Sequence, residues 1–264
     1  MIAIKGASIP ALPYRKPGHS EEGNALFLIL VAVALFAALS FVIVYSTRSG
    51  AGSTSEEKPR LVASQILNYS ISVTTGLNRL IARGCRLDEI NFEHEPFDGS
   101  DPKYLNPNSP DDFSCHVFHA QGGAVPYQIP PAEAQDIPPG KTADMQEYYY
   151  NLSHQVPGVG TDNLGTGTAD SKDLMIIMPY VSLEVCRAFN KAINREYEAP
   201  PEDTNTLDIV GFAGGDIAAM GSSDIEDADG ILHGQAAACI YAASLSGAAT
   251  ADDGYYFYNV IKLQ

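Results

Sequence analysis

Tryptophan is absent from this chain and basic side chains are scarce: 16 lysines and arginines face 32 aspartates and glutamates, for a formal net charge of −16. So acidic a chain has little with which to neutralise phosphates, which argues against nucleic acid as a partner. No Cys-x-x-Cys pair occurs, and the wide spacing of Cys85, Cys115, Cys186 and Cys239 does not resemble a zinc knuckle. No serine sits in a Gly-x-Ser-x-Gly elbow, and the glycine-rich stretch from Gly158 to Gly167 is followed by no lysine and surrounded by no βαβ pattern. No carboxylate pair stands out as an acid–base couple, and no internal repeat is present. The chain therefore carries no catalytic signature and no cofactor is expected, so it is read as a non-enzyme.

One long uncharged segment is present. Ala25 to Tyr45 contains no charge, and Ser40 is its only strongly polar side chain. A hydrocarbon core about 30 Å thick takes roughly 20 apolar residues as a helix, so the expectation is a single transmembrane helix over 24–45. A secretory signal is the closest competitor, but the run is longer than a usual signal core and continues beyond the small residues at Ala38 and Ser40. Lysine and arginine counts on the two sides tie. The short leader before the run and the even number of cysteines after it place the body of the chain on the exported side. The expected location is the bacterial inner membrane, single-pass, with a periplasmic or extracellular C-terminal domain.

The expected organisation follows from composition. Residues 1–23 form a basic leader and a candidate for cleavage, 24–45 the apolar helix, 46–58 a small, polar hinge, and 59–264 an acidic head. From Pro59 onward there are 11 basic and 28 acidic residues, a net of −17. Val62, Ile66, Tyr69, Val73, Leu77 and Leu80 recur at helical spacing, and Arg83 with Gly84 supplies a stop. Turn dipeptides dominate from Cys85 to Pro139, with short strands expected at Phe113–Phe118 and Ala124–Ile129. Leu174–Met178, Cys239–Ala243 and Tyr255–Leu263 read as further strands, and Ser182 to about Arg195 as a short helix. The fold class expected is α+β: a transmembrane helix, then a long amphipathic helix packed on a mostly antiparallel sheet, stapled by disulfides.

Four cysteines allow three pairings. The pairing Cys85–Cys115 with Cys186–Cys239 is favoured, since each bond would join a helix or its end to a later strand. Two weak metal signals are present, and no metal site is expected. His116 and His119, with Glu93-His94-Glu95 upstream, sit in a stretch read as strand, where residues three apart face opposite sides. Asp224, Glu226, Asp227 and Asp229 form an acidic turn that resembles part of a calcium loop, but aligning Gly230 as the sixth position leaves Ile225 and Ala236 where oxygen ligands belong.

A basic leader containing Lys16, a glycine at Gly23, the apolar run Asn24-Ala25-Leu26-Phe27-Leu28-Ile29-Leu30, a second amphipathic helix and a cysteine-bearing head together resemble the type IV pilin and pseudopilin superfamily. The resemblance covers mostly the first 84 residues. It implies cleavage between Gly23 and Asn24, and stacking of the apolar helices at the centre of a filament. Glu21 and Glu22 stand where the family usually has basic residues, and Leu28 stands where it commonly has a glutamate that recruits subunits, which suits a minor subunit. Ala32, Ala34, Ala37, Ala38 and Ser40 would permit close helix approach. Expected partners are membrane lipid and pilin-like subunits, as a homo- or hetero-oligomer. The alternative reading is an uncleaved single-pass membrane protein with an outer ligand- or partner-binding domain.

Overall fold

The helical stripe from Val62 to Leu80 lies on α2 (Thr54–Ala82), and all six of its side chains are buried. The computed structural model describes residues 22–50, 54–99, 103–141, 143–160, 172–195, 197, 199–209, 211–212, 223–246 and 253–262. The leader up to residue 21, and Leu263 of the expected last strand, lie outside the described residues. The chain divides into two compact units, Met1–Thr54 and Ser55–Gln264. The first holds α1 (Glu22–Gly50), which continues through the start of the expected hinge. Residues 51–53 of that hinge lie outside the described residues, and α2 occupies the rest of it.

In the second unit α2 ends where glycine permits. Gly84 takes φ +103°, the Cys85 N–H reaches the Leu80 carbonyl and the Gly84 N–H reaches that of Ile81. These are the paired bonds that satisfy the last carbonyls of a helix. The strands are β1 (Tyr149–Gln155), β2 (Asp173–Met178), β3 (Glu202–Asp208), β4 (Ser223–Asp224), β5 (Ala237–Ser246) and β6 (Gly254–Lys262), with α3 (Leu183–Ala192) between β2 and β3. They form one sheet in the order β3-β5-β6-β2-β1-β4.

The fold class departs from expectation in two respects. First, the sheet is mixed. β2 is antiparallel to β1 and β6, and β5 to β6, but β3 runs parallel to β5 and β4 parallel to β1. Parallel neighbours need a connection of a dozen or more residues, and β3 ends at Asp208 while β5 begins only at Ala237. The sheet also nearly closes into a barrel. Its two end strands meet where the Thr204 N–H donates to the Glu226 carbonyl, Asn205 Nδ2 to the Asp224 carbonyl and Ser223 Oγ to the Thr206 carbonyl.

Second, the expected transmembrane helix is contradicted. Among the described residues no helix is long and apolar enough to cross a membrane. The side chains described on α1 run from 26 to 40, which is about 22 Å of helix against about 30 Å of hydrocarbon. The single-pass inner-membrane location falls with it. Both disulfides, Cys85–Cys115 and Cys186–Cys239, are formed, and they indicate an oxidising compartment.

Near-closure explains why both faces of the central strands are buried. On β2, Leu174, Ile176 and Met178 join the core beneath α2 and α3, while Met175 and Ile177 join a second core with Tyr149, Ile240, Tyr256 and Tyr258. A strand buried on both sides reads as a continuous apolar run, as Leu174–Met178 does. The core under α2 is organised on Phe92, whose ring stacks on Tyr150 at 4.4 Å and lies within 6.5 Å of Tyr104, Phe118 and Phe212. Tyr69 and Tyr150 share a hydroxyl–hydroxyl bond of 2.9 Å, which satisfies two buried phenols and ties α2 to β1.

α3 has a more local task. Asn190 donates through Nδ2 to the Cys239 carbonyl and accepts the Cys239 N–H at Oδ1, both at 2.8 Å. β3 pairs β5 only from Tyr241 onward, so at Cys239 the side-chain amide takes the place of a neighbouring strand. The Cys186–Cys239 disulfide joins the same two elements one helical turn away.

Candidate functional site

The expected strands at Phe113–Phe118 and Ala124–Ile129 are instead a tight loop system folded onto the end of α2. Cys115 is bonded to Cys85 just past that helix, and backbone bonds run from the Asn91 N–H to the Cys115 carbonyl and from the Val117 N–H to the Asn91 carbonyl. The chain then reverses through Gly122-Gly123. A Cβ on Gly122 would lie 2.0 Å from the His116 carbonyl oxygen, and one on Gly123 would lie 2.5 Å from that of Val117. Arg79 of α2 and Arg83 just past its end hold this reversal: Arg79 donates to the Gly123 carbonyl at 2.7 Å, and Arg83 to those of Gln121 and Gly122. Phe113 and Ala124 adopt φ of 60° and 52°, a left-handed conformation that a strand cannot contain.

These constraints bring rings from two loops together. Phe97 lies edge-on to His119 at 4.9 Å, Phe113 stacks on His119 at 4.5 Å, and His94 stacks on Tyr127 at 3.9 Å. All of these but Phe113 line a cleft of about 540 Å³, with Phe118 and Val125 buried at its base and His94, Phe97, His119 and Tyr127 half-buried around it. Its size is that of a small-molecule pocket. Glu95 is exposed at its lip. Phe97, which lines the cleft, has a positive φ, as do Phe113 and Ala124 in the neighbouring loop.

Two hydrogen bonds assign the imidazole protons. The Gln121 N–H points at His119 Nδ1 at 3.2 Å, and because an N–H can only donate, the neutral ring carries its proton on Nε2. His94 Nδ1 faces the Glu95 carbonyl at 3.0 Å, and because a carbonyl can only accept, that ring carries its proton on Nδ1. Behind the cleft His116 is buried, and its Nδ1 has no partner. Burial first and the neighbouring His119 second push its pKa down to about 4, against a smaller upward pull from Asp112.

The sign of the linkage follows. Between about pH 6.5 and 4 the unfolded chain binds the His116 proton and the folded chain does not, so stability should fall as pH drops through that window and level off below it. Buried Asp203 works in the opposite direction, since desolvation raises its pKa. Denaturant midpoints from pH 7 to 4 for the native chain and His116→Phe separate the two. The native curve should lose its excess slope in the variant. Superimposable curves would remove His116 as the titrating group.

The acidic turn is stitched to itself. Asp227 accepts the N–H groups of Asp229, Ile231 and Leu232, Asp224 Oδ1 accepts from Gln155, and Glu226 faces His233 at 3.4 Å. Among the described residues no three histidine, cysteine, aspartate or glutamate side chains group to hold a metal ion. Glu93 is buried and accepts the Gly99 N–H, apart from any such group. Gly23 and Asn24 lie in the first turn of α1, and Ala32, Ala34, Ala37, Ala38 and Ser40 are exposed along it.

Sequence reading noticed His94, His116 and His119 but missed Tyr127, Phe97 and Phe118 as their companions. The available signal was the density of rings between residues 92 and 127, bounded by a cysteine pair. No family model matches the chain, no curated protein matches it, and no solved structure matches it.

Proposed function

We propose that this chain is a structural subunit, similar to type IV pilins and pseudopilins, that assembles with copies of itself or related subunits by burying α1. One observation carries the reading: every described side chain of α1 from 26 to 40 is exposed, including Leu26, Phe27, Leu35 and Phe36 at 67%, 65%, 60% and 74%. Full burial of one such side chain contributes about 1.5–3 kcal/mol. Micromolar affinity needs about 8 kcal/mol beyond an association cost of about 4–15 kcal/mol, so assembly takes the burial of many of these side chains at once. A continuous apolar surface of this kind marks an interface rather than ordinary exposure. The acidic second unit opposes close approach of its copies, with carboxylates repelling over a Debye length of about 8–10 Å at ordinary salt.

Sedimentation tests this. The oxidised full chain should form large assemblies that grow with added salt, whereas the Ser55–Gln264 unit should sediment as a monomer at all salt concentrations. N-terminal sequencing of the assembled material should begin at Asn24. A second unit that assembles as strongly as the whole chain would overturn the role given to α1.

A further inference from the structure

We infer that the cleft between the 94–97 and 118–127 loops is a binding site for a neutral saccharide of two or three units. It goes beyond the assembly role, which uses none of these residues. The ring of His94, stacked on Tyr127, and the ring of Phe97 present half-exposed flat surfaces, and the C–H faces of a sugar ring pack on such surfaces. Polar groups around them alternate in kind. His119 carries its proton on Nε2 and is a donor there, His94 is left with an acceptor at Nε2, and the Glu95 carboxylate at the lip accepts. Hydroxyl groups that both donate and accept satisfy such a mixed set, whereas an all-acceptor ligand does not.

Charge narrows the class further. Neither lysine nor arginine lines the cleft, Glu95 borders it, and the chain carries a net charge of −16, so an anionic ligand is disfavoured. A small alkylammonium ion would suit the rings and the charge. It would, however, leave most of a cleft of about 540 Å³ unfilled and the His119 N–H facing a cation. The cleft is also held in shape before any ligand arrives, by the Cys85–Cys115 bond and the Arg79 and Arg83 clamps on the loop at Gly122.

The experiment is calorimetric titration and saturation-transfer NMR of the oxidised full chain with cellotriose, chitotriose, mannotriose and lactose. Decaproline and tetramethylammonium serve as the competing chemistries. At least one saccharide should bind, and Tyr127→Ala and His119→Ala should each weaken it about tenfold. Lys141→Ala, away from the cleft, should leave affinity unchanged. Thermal melts establish that each variant is folded, and Tyr127→Phe, which keeps the ring, should retain most of the affinity if Tyr127→Ala proves unstable. Absence of saccharide binding at millimolar concentration overturns the proposal. So does binding indifferent to both variants, or binding of decaproline or tetramethylammonium in place of the sugars. None of these outcomes touches sedimentation, so the assembly reading stands or falls separately.

Discussion

A variant with both Cys186 and Cys239 replaced by alanine should lose about 4 kcal/mol of unfolding free energy. The bond closes a loop of 53 residues, and loop-closure entropy alone gives a figure of that size. Against a typical domain stability of 5–15 kcal/mol this is a large share. Both cysteines are fully buried, so truncation adds a packing loss. The Cys85–Cys115 pair closes 30 residues and should cost slightly less, about 3–4 kcal/mol. Urea unfolding of the oxidised proteins measures both. Asn190→Ala with the disulfide intact isolates the amide bridge: it strands the Cys239 N–H and carbonyl, at about 1–3 kcal/mol for each buried unpaired group. If the alanine pair at 186 and 239 costs less than about 1 kcal/mol, α3 is held by its hydrophobic face and the covalent link is incidental.

Gly122→Ala should be comparably severe, at about 3 kcal/mol or more. The added methyl would meet two backbone oxygens, those of His116 at 2.0 Å and Phe113 at 2.9 Å, and backbone in a disulfide-anchored loop cannot step aside. Gly84→Ala is the matched control. Its φ of +103° is unfavourable for alanine, but nothing lies within 4 Å of the new Cβ, so the cost should be about 1–2 kcal/mol. Thermal or urea unfolding of the two variants side by side gives the comparison. Equal losses would mean that conformational freedom, rather than close approach, explains both glycines.

The elements legible in the sequence are those whose burial is periodic or continuous. Val62 to Leu80 declares a helix because one face alone is covered, Val185 and Phe189 do the same for α3, and Leu174–Met178 declares a strand because both faces are. β1 and β3 were missed because their composition argues against a core. β1 contains Asn151, Ser153, His154 and Gln155, and β3 is Glu202-Asp203-Thr204-Asn205-Thr206-Leu207-Asp208. Polar groups there are held by bonds from main-chain N–H groups: Asn151 accepts from Ser153, and Asp203 Oδ1 accepts from Asn205 and Glu226. Sheet direction was illegible for another reason: β3 and β4, the end strands with parallel partners, carry no apolar pattern that announces them. The cleft was hidden because its rings are assembled by a disulfide, an isolated bridge between Asn91 and His116, and two glycines whose need for close approach only the folded backbone reveals. Its histidines are visible in the sequence, but their spacing there suggests a strand, where the structure has a loop.

The meeting of β3 with β4 bears on how such a protein avoids uncontrolled polymerisation. An open sheet offers its outermost strands as templates on which another chain can add by main-chain pairing, the route to fibrous aggregates. Here one end strand is two residues long and the other is bonded across to it through Thr204, Asn205 and Ser223, while α3 covers β5 at Cys239 with an amide that mimics a strand. The exposed carboxylate of Glu202 starts the outer strand and adds charge repulsion. Disordered, edge-to-edge growth of the second unit is thereby suppressed at the described strands, so ordered association is left to surfaces other than the sheet.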